Sequence, residues 1–290
     1  MKITLITTLP KLTENRRIEE EIRALNHEFE LIDLHEFSFE IKSGSLSISG
    51  LERLDTDLII MRGIFNSIKA ISVAINSLRD EGVVIFDNNF LEHRYSIDKV
   101  TDLLKLSTKG ILVPDMVYVR DFEQYPDALA KLGYPVVVKS TRMGKGASVF
   151  KMESESDLAQ FIDDAENEGK NAKSYIIQEF VPYKLDLRCL IIGENVFTMR
   201  RIPTEGEFRA NFSLGGSVEV YDLDNEGKKL AIDALKAVDM SIGGVDILIT
   251  EDNKRYILEV NHTAGFVGME LATNQNIGKL YVEHAIENAK

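Results

Sequence analysis

The chain has 290 residues, 44% hydrophobic and 28% charged, the balance of an ordinary soluble globular protein long enough for more than one core. Its formal net charge of −13 argues against sequence-independent nucleic-acid binding, which needs a phosphate-neutralising surface, and disfavours anionic membranes as partners. No apolar run approaches the ~18 residues that span a bilayer. The single cysteine, Cys189 in a strand-like apolar run, excludes an internal disulfide and reads as a buried thiol in a reducing cytoplasm.

The first twelve residues begin like a signal peptide, but Arg16 to Glu21 follow at once, and 3–7 reads better as a buried strand. Ile18, Ile22, Leu25 and Phe29 then share a helical stripe, and 30–34 and 57–62 are strands. Ile68, Ile71, Ile75 and Leu78 make a second stripe before a strand at 83–87. This alternation predicts an α/β unit over 1–92 with a parallel, doubly wound sheet. Thr7-Thr8-Leu9-Pro10 stands where a dinucleotide fingerprint would carry glycines, which argues against a dehydrogenase.

A helix is expected from an N-cap at Ser96 to Leu106, closed by Gly110. A second unit, 93–181, continues with strands at 116–120, 135–139, 148–152 and 175–180 and helices at 123–132 and 154–168. The third, 182–290, is mostly strands, including 186–193 and 196–203, with a helix at 226–239, a hairpin and a C-terminal helix. Asn167 to Asn171 reads as an exposed loop.

Several polar residues sit where strands end. Lys139 closes the run Pro135-Val136-Val137-Val138 and either snorkels outward or meets a phosphate. Gly144, Lys145, Gly146 and Ser148 belong to a basic loop that is either a hairpin turn or a phosphate cradle. Glu179, Phe180 and Val181 leave a strand and could border an adenine. Asp186 and Arg188 share one strand face, and Arg200, Arg201, Arg209 and Asn211 follow; a set of surface salt bridges is the alternative.

The apolar strands 243–250 and 255–261 carry acids. With Asp252-Asn253 as a two-residue loop, Glu251 pairs with Lys254 and Asp246 falls opposite Glu259, with Asn261 on the same face. Val245, Ile247, Ile249, Tyr256, Leu258 and Val260 would form the apolar face. Opposed carboxylates repel unless a cation joins them. Two carboxylates and an amide suit Mg²⁺ or Mn²⁺, although a solvated strand end would also accommodate them.

In this order, Asp98-Lys99, the strand ending at Lys139, the glycine loop, Gln178 to Val181, Asp186-Leu187-Arg188, Glu207 to Gly216, and Asp246 to Asn261 resemble an ATP-grasp protein of the RimK type, the glutamate ligases. The resemblance covers 94–270 well and the first 90 residues only by strand–helix order. It implies an ATP-grasp fold, two α/β units gripping ATP, preceded by a Rossmann-like domain that helps bind substrate. It further implies that Lys99 and Lys139 contact phosphate and adenine, that Glu179, Phe180 and Val181 line the adenine, and that Asp186 binds ribose. Arg209 and Asn211 would face the γ-phosphate, and Asp246, Glu259 and Asn261 would hold two Mg²⁺ or Mn²⁺ ions.

The implied activity is an ATP-dependent carboxylate–amine ligase working through an acyl phosphate, with Arg188 and Arg200 holding the carboxylate. Its partners would be ATP, a small amino acid and a carboxylate on a protein tail or metabolite; a homo-oligomer is allowed. A ligase of small-molecule biosynthesis and a non-catalytic nucleotide-binding module are the alternatives. The loop Met143 to Gly146 and the run His262-Thr263-Ala264-Gly265, in place of a small-serine-proline run, depart from the RimK pattern.

Overall fold

The structure, a computed structural model, describes residues 1–49, 54–64, 68–86, 98–141, 149–204 and 217–289. β1 (Lys2–Thr7), β2 (Glu28–Asp33), β5 (Leu58–Met61) and β6 (Val84–Phe86) form a parallel sheet in the order β2-β1-β5-β6. α1 (Thr13–Ala24) and α2 (Ile68–Asp80) are its connecting helices. The first helical stripe ends sooner than expected. Leu25 is the C-cap, Asn26 adopts φ 60°, and Phe29 lies in β2.

β3 (Ser38–Lys42) and β4 (Ser45–Ser49) form a hairpin that the sequence reading missed. Its signal was present: Phe39 and Ile41 alternate with polar residues, and Ser43 and Gly44 both have positive φ at the turn.

α3 (Lys99–Thr108) starts later than expected. Its N-cap is Asp98, whose carboxylate accepts from the Thr101 backbone N–H at 2.9 Å; Ser96 lies outside the described residues. β7 (Met116–Val117), α4 (Tyr125–Leu132), β8 (Val136–Ser140), β9 (Val149–Met152), α5 (Glu155–Asn167) and β10 (Tyr175–Glu179) follow. The four strands make an antiparallel sheet ordered β7-β10-β8-β9. Ser154 caps α5 through a capping box with Asp157.

The third sheet is antiparallel, ordered β13-β12-β11-β14-β15. Its strands are β11 (Leu185–Ile192), β12 (Asn195–Ile202), β13 (Ser217–Val220), β14 (Ile242–Ile249) and β15 (Arg255–Asn261). α6 (Asn225–Ala237) packs its Ala231, Ala234 and Leu235 with Leu187, Val245, Ile247 and Ile257. Cys189 is in this core, and burial pushes its thiol up to about 12, so it is not a thiolate nucleophile at neutral pH.

The C-terminal segment is two helices, α7 (Val267–Thr273) and α8 (Ile277–Asn288), where one was expected. They do not serve the third sheet alone. Tyr281, Val282 and Ala285 of α8 join one core with Ile3, Leu5, Ile60 and Phe86 of the first sheet and Leu190 and Ile192 of β11. A parallel sheet needs cover on both faces. Here α2 covers one, while α1 and α8, from the far end of the sequence, share the other. No helix among the described residues is long and apolar enough to cross a membrane.

Candidate active site

The β14–β15 hairpin brings Asp246 directly opposite Glu259 and Gly244 opposite Asn261. The turn, however, differs from the expected two-residue loop. Thr250 N–H donates to the Lys254 carbonyl at 3.0 Å, enclosing Glu251-Asp252-Asn253, and Asn253 takes φ 62°. This longer loop shifts the pairing by one residue, so Ile249 faces Arg255 and Ile247 faces Ile257. A bulge at Leu258 then shifts it back before Asp246. The apolar face changes accordingly: Ile257 is fully buried, while Tyr256 and Leu258 are only half-buried.

Asp246 is 2% exposed and is held by two guanidinium groups from neighbouring strands. Arg188 Nη2 donates to Asp246 Oδ2 at 2.8 Å while its Nε contacts Oδ1. Arg201 Nη1 lies 3.0 Å from Asp246 Oδ2, and Arg201 also donates from Nε at 2.8 Å and Nη2 at 2.5 Å to Asp186 Oδ1. The register explains the set. Arg188 pairs with Asp246 across β11–β14, and Asp186 pairs with Arg201 across β11–β12, so all four share a face.

Arg200 is not on it. It pairs with Leu187, whose side chain enters the opposite core, and its guanidinium reaches only Glu219 at 3.2 Å. The expectation that Arg188 and Arg200 face one cleft fails by one residue of strand alternation, and Arg201 occupies the place. Asp186 likewise serves Arg201 first. Burial raises its carboxyl to about 6 against the lowering pull of Arg201.

Two lysines reach the same face from the second sheet's side. Lys99, the first residue of α3, places Nζ 3.1 Å from Glu259 Oε2, and Lys139 Nζ is 3.5 Å from the Leu258 carbonyl exposed by the bulge. Burial pushes Lys139 down to about 8, with Glu259 opposing and Lys99 reinforcing the shift. Burial alone would raise Glu259, but Lys99, Lys139 and Arg188 overcome it and hold the carboxyl at about 2. Four cations therefore meet three carboxylates in a chain that is acidic overall.

Asn261 Nδ2 is buried without a hydrogen-bond partner among the described residues. Gly244 keeps the space beside it, since a Cβ there would sit 3.1 Å from Ala264 Cβ and 3.3 Å from Asn261 Cβ. Sequence reasoning missed Gly244, although a glycine inside an apolar strand signals close approach.

Glu179 ends β10 and Phe180 follows it. Glu179 N–H donates to the Asp115 carbonyl at 2.9 Å, Phe180 N–H to the Pro135 carbonyl at 3.2 Å, and Lys151 Nζ lies 4.5 Å from the Phe180 ring centroid. Val181 is buried. Gly144, Lys145, Gly146, Ser148, Arg209 and Asn211 lie outside the described residues.

Two further contacts, both unforeseen, fix the turn after Asn261. His262 Nε2 is 2.9 Å from Asp102 Oδ2, and Arg62, at the end of β5, donates to the Ala264 carbonyl at 3.0 Å and to Asn15 Oδ1 at 3.1 Å.

The RimK-like ATP-grasp domain model matches residues 96–284, and the RimK PreATP-grasp domain model matches residues 1–85. The chain is 29% identical to a probable alpha-L-glutamate ligase 2 of Pseudoalteromonas atlantica, covering 100% of this chain and 97% of that protein. It is 30% identical to a probable alpha-L-glutamate ligase of Methanococcoides burtonii, with the same coverage. Among solved structures, the ATP-grasp ligase PsnB complexed with a phosphomimetic variant of its minimal precursor, Mg and ADP superimposes with a TM-score of 0.74 at 20% identity, covering 98% of this chain and 97% of that one. D-alanine–D-alanine ligase from Bacillus anthracis gives 0.67 at 19%, covering 99% and 96%. Full-length identity to the glutamate ligases and the match of both domain models lead to one assignment: the chain belongs to the RimK-like ATP-grasp family and is an ATP-dependent ligase.

Proposed function

We propose that this ligase joins the amine of an amino acid, glutamate foremost, to a carboxylate on a peptide or small acceptor. The observation that carries the reading is the clustering of Lys99, Lys139, Arg188 and Arg201 around Asp246 and Glu259 on one face. An excess of cations over opposed carboxylates suits a polyphosphate with its divalent ions. Glutamate comes from the names of the full-length relatives, and a peptide acceptor from precursor-bound neighbours of the same fold.

The donor set fits Mg²⁺, and Mn²⁺ equally by ligand type: Asp246 and Glu259 supply hard carboxylate oxygens, and Asn261 an amide beside the space kept by Gly244. When bound, the ions neutralise the phosphate oxygens in phosphoryl transfer. The chain's own residues do the rest. Lys139 and Lys99 bind phosphate, and Lys99 gives up Glu259 as it does so. Glu179, Phe180 and Val181 border the base.

Arg188 and Arg201, which contact Asp246, would orient the substrate carboxylate and stabilise the tetrahedral oxyanion. A carboxylate oxygen bonds to the γ-phosphorus as the bond to ADP breaks. The amine nitrogen then bonds to the acyl carbon, phosphate leaves and the amine sheds a proton. Asp186 holds Arg201 in place rather than binding ribose. In this reading 93–181 and 182–290 close on the nucleotide, 1–92 contributes to the substrate side, and the reaction draws on cytoplasmic ATP.

Hydroxylamine tests the intermediate. With ATP, Mg²⁺ and a panel of carboxylates, the correct acceptor should yield an acyl hydroxamate. ADP release that depends on that acceptor, with neither hydroxamate nor amide formed, would make the protein a kinase or an idle ATPase instead.

A further inference from the structure

We propose that the buried Asp102–His262 pair is a positioning strut that holds Lys99 on the metal hairpin; this rests on the nucleotide site described above. His262 directly follows Asn261, and its Nε2 meets Asp102 Oδ2 at 2.9 Å with both side chains almost sealed, 3% and 6% exposed. A carboxylate only accepts, so Nε2 carries the proton. Asp102 stands three residues after Lys99 in α3, on the same helix face. His262 stands three residues after Glu259, which Lys99 contacts at 3.1 Å.

α3 and the end of β15 are therefore joined by two polar rungs, and the two have different fates. The Lys99–Glu259 rung consists of groups that ligands compete for, phosphate for the ammonium and a divalent ion for the carboxylate. Once both are taken, that rung is gone. The Asp102–His262 rung lies deeper and keeps the helix start in register. The Lys99 backbone N–H also donates to the Thr141 carbonyl at 3.1 Å, two residues beyond Lys139, so a displaced α3 would disturb both phosphate-binding lysines. His262 opens the run His262-Thr263-Ala264-Gly265, which stands where the family resemblance calls for a small-serine-proline run.

Calorimetric titration of Mg·AMP-PNP into the full-length protein, with steady-state ATP kinetics, tests the strut. His262→Ala should weaken binding about tenfold, the scale of one charge-assisted hydrogen bond, and raise KM for ATP in parallel while kcat changes less than about threefold. His262→Gln, which retains an N–H donor, should recover most of the loss. Wild-type affinity in folded His262→Ala would overturn the proposal, as would a Gln variant no better than Ala. If His262→Ala melts below the assay temperature, Asp102→Asn replaces it. That variant keeps the volume and weakens the acceptor; about threefold weaker binding is expected, and unchanged binding overturns the strut. Wild-type protein that binds no nucleotide would instead sink the ligase reading itself.

Discussion

Asp246 and Glu259 face one another because two irregularities in the hairpin cancel. The three-residue loop ending at Asn253 offsets β15 by one, and the bulge at Leu258 restores the offset between Ile257 and Glu259. Without the bulge, the acid would turn into the core occupied by Ile257. The bulge also turns the Leu258 carbonyl to Lys139. A residue added to the sheet thus serves both the acids and Lys139, as bulges near sites commonly do.

The pairing yields the first prediction. Glu259→Gln keeps the shape of the side chain and removes its charge, so the fold should survive. Metal-dependent ATP turnover should fall by several kcal/mol of transition-state stabilisation. Wild-type turnover at saturating Mg²⁺ and substrates would remove Glu259 from the metal site.

Adjacent arginines on β12 should behave in opposite ways. Arg200 makes a surface ion pair with Glu219, a class of contact worth about 0–1 kcal/mol, so Arg200→Ala should leave stability and activity nearly unchanged. Arg201 is buried between Asp186 and Asp246, and its removal leaves the Asp186 carboxylate in the interior without its guanidinium and Asp246 with Arg188 alone. Arg201→Ala should cost about 3–5 kcal/mol in urea denaturation. Equal melting of the two variants would show that the strand face is misassigned.

The sequence was most legible where periodicity and burial coincide. Ile68, Ile71 and Ile75 gave α2, and the run ending at Lys139 gave β8. The opposition of Asp246 and Glu259 was also anticipated, though from a loop one residue too short and with no bulge. What stayed hidden was set by contacts between distant segments. Nothing near Ala285 says that its helix covers the first sheet, and nothing near His262 names Asp102 as its partner. Arg200 was preferred to Arg201 because β12 has charges on consecutive positions, and alternation alone cannot tell which of two neighbours faces in until the register is known.

Arg62 should matter to stability as an inter-unit tie. It reaches from β5 to the Ala264 carbonyl and Asn15 Oδ1, and it lies against the Tyr281 hydroxyl of α8. Arg62→Ala would leave a cavity and acceptors without a donor, each worth about 1–3 kcal/mol if buried. A loss of about 2–4 kcal/mol is expected in chemical denaturation, with one transition, because the first sheet and α8 share a core. A wild-type midpoint would show that the apolar contacts alone hold the units together.

Lys139 makes nucleotide affinity depend on pH. Burial lowers its folded-state value to about 8, from the ordinary 10.5 that the unfolded chain would show. The sign for stability follows: below pH 8 the protein bears the cost of a buried cation, and that cost is relieved as pH rises from about 8 to 10.5. Nucleotide binding runs the other way, because a phosphate favours the protonated amine. ATP affinity should therefore fall as pH rises above about 8, and binding at higher pH should take up a proton. Calorimetry in two buffers of different ionisation enthalpy reads that uptake directly. Lys139→Met should bind ATP weakly at every pH and take up no proton at this position. Lys139→Arg, which stays charged, should flatten the profile if the longer group is accommodated. A wild-type affinity independent of pH between 7 and 9.5, or unchanged in Lys139→Met, would return Lys139 to a structural role at the end of β8.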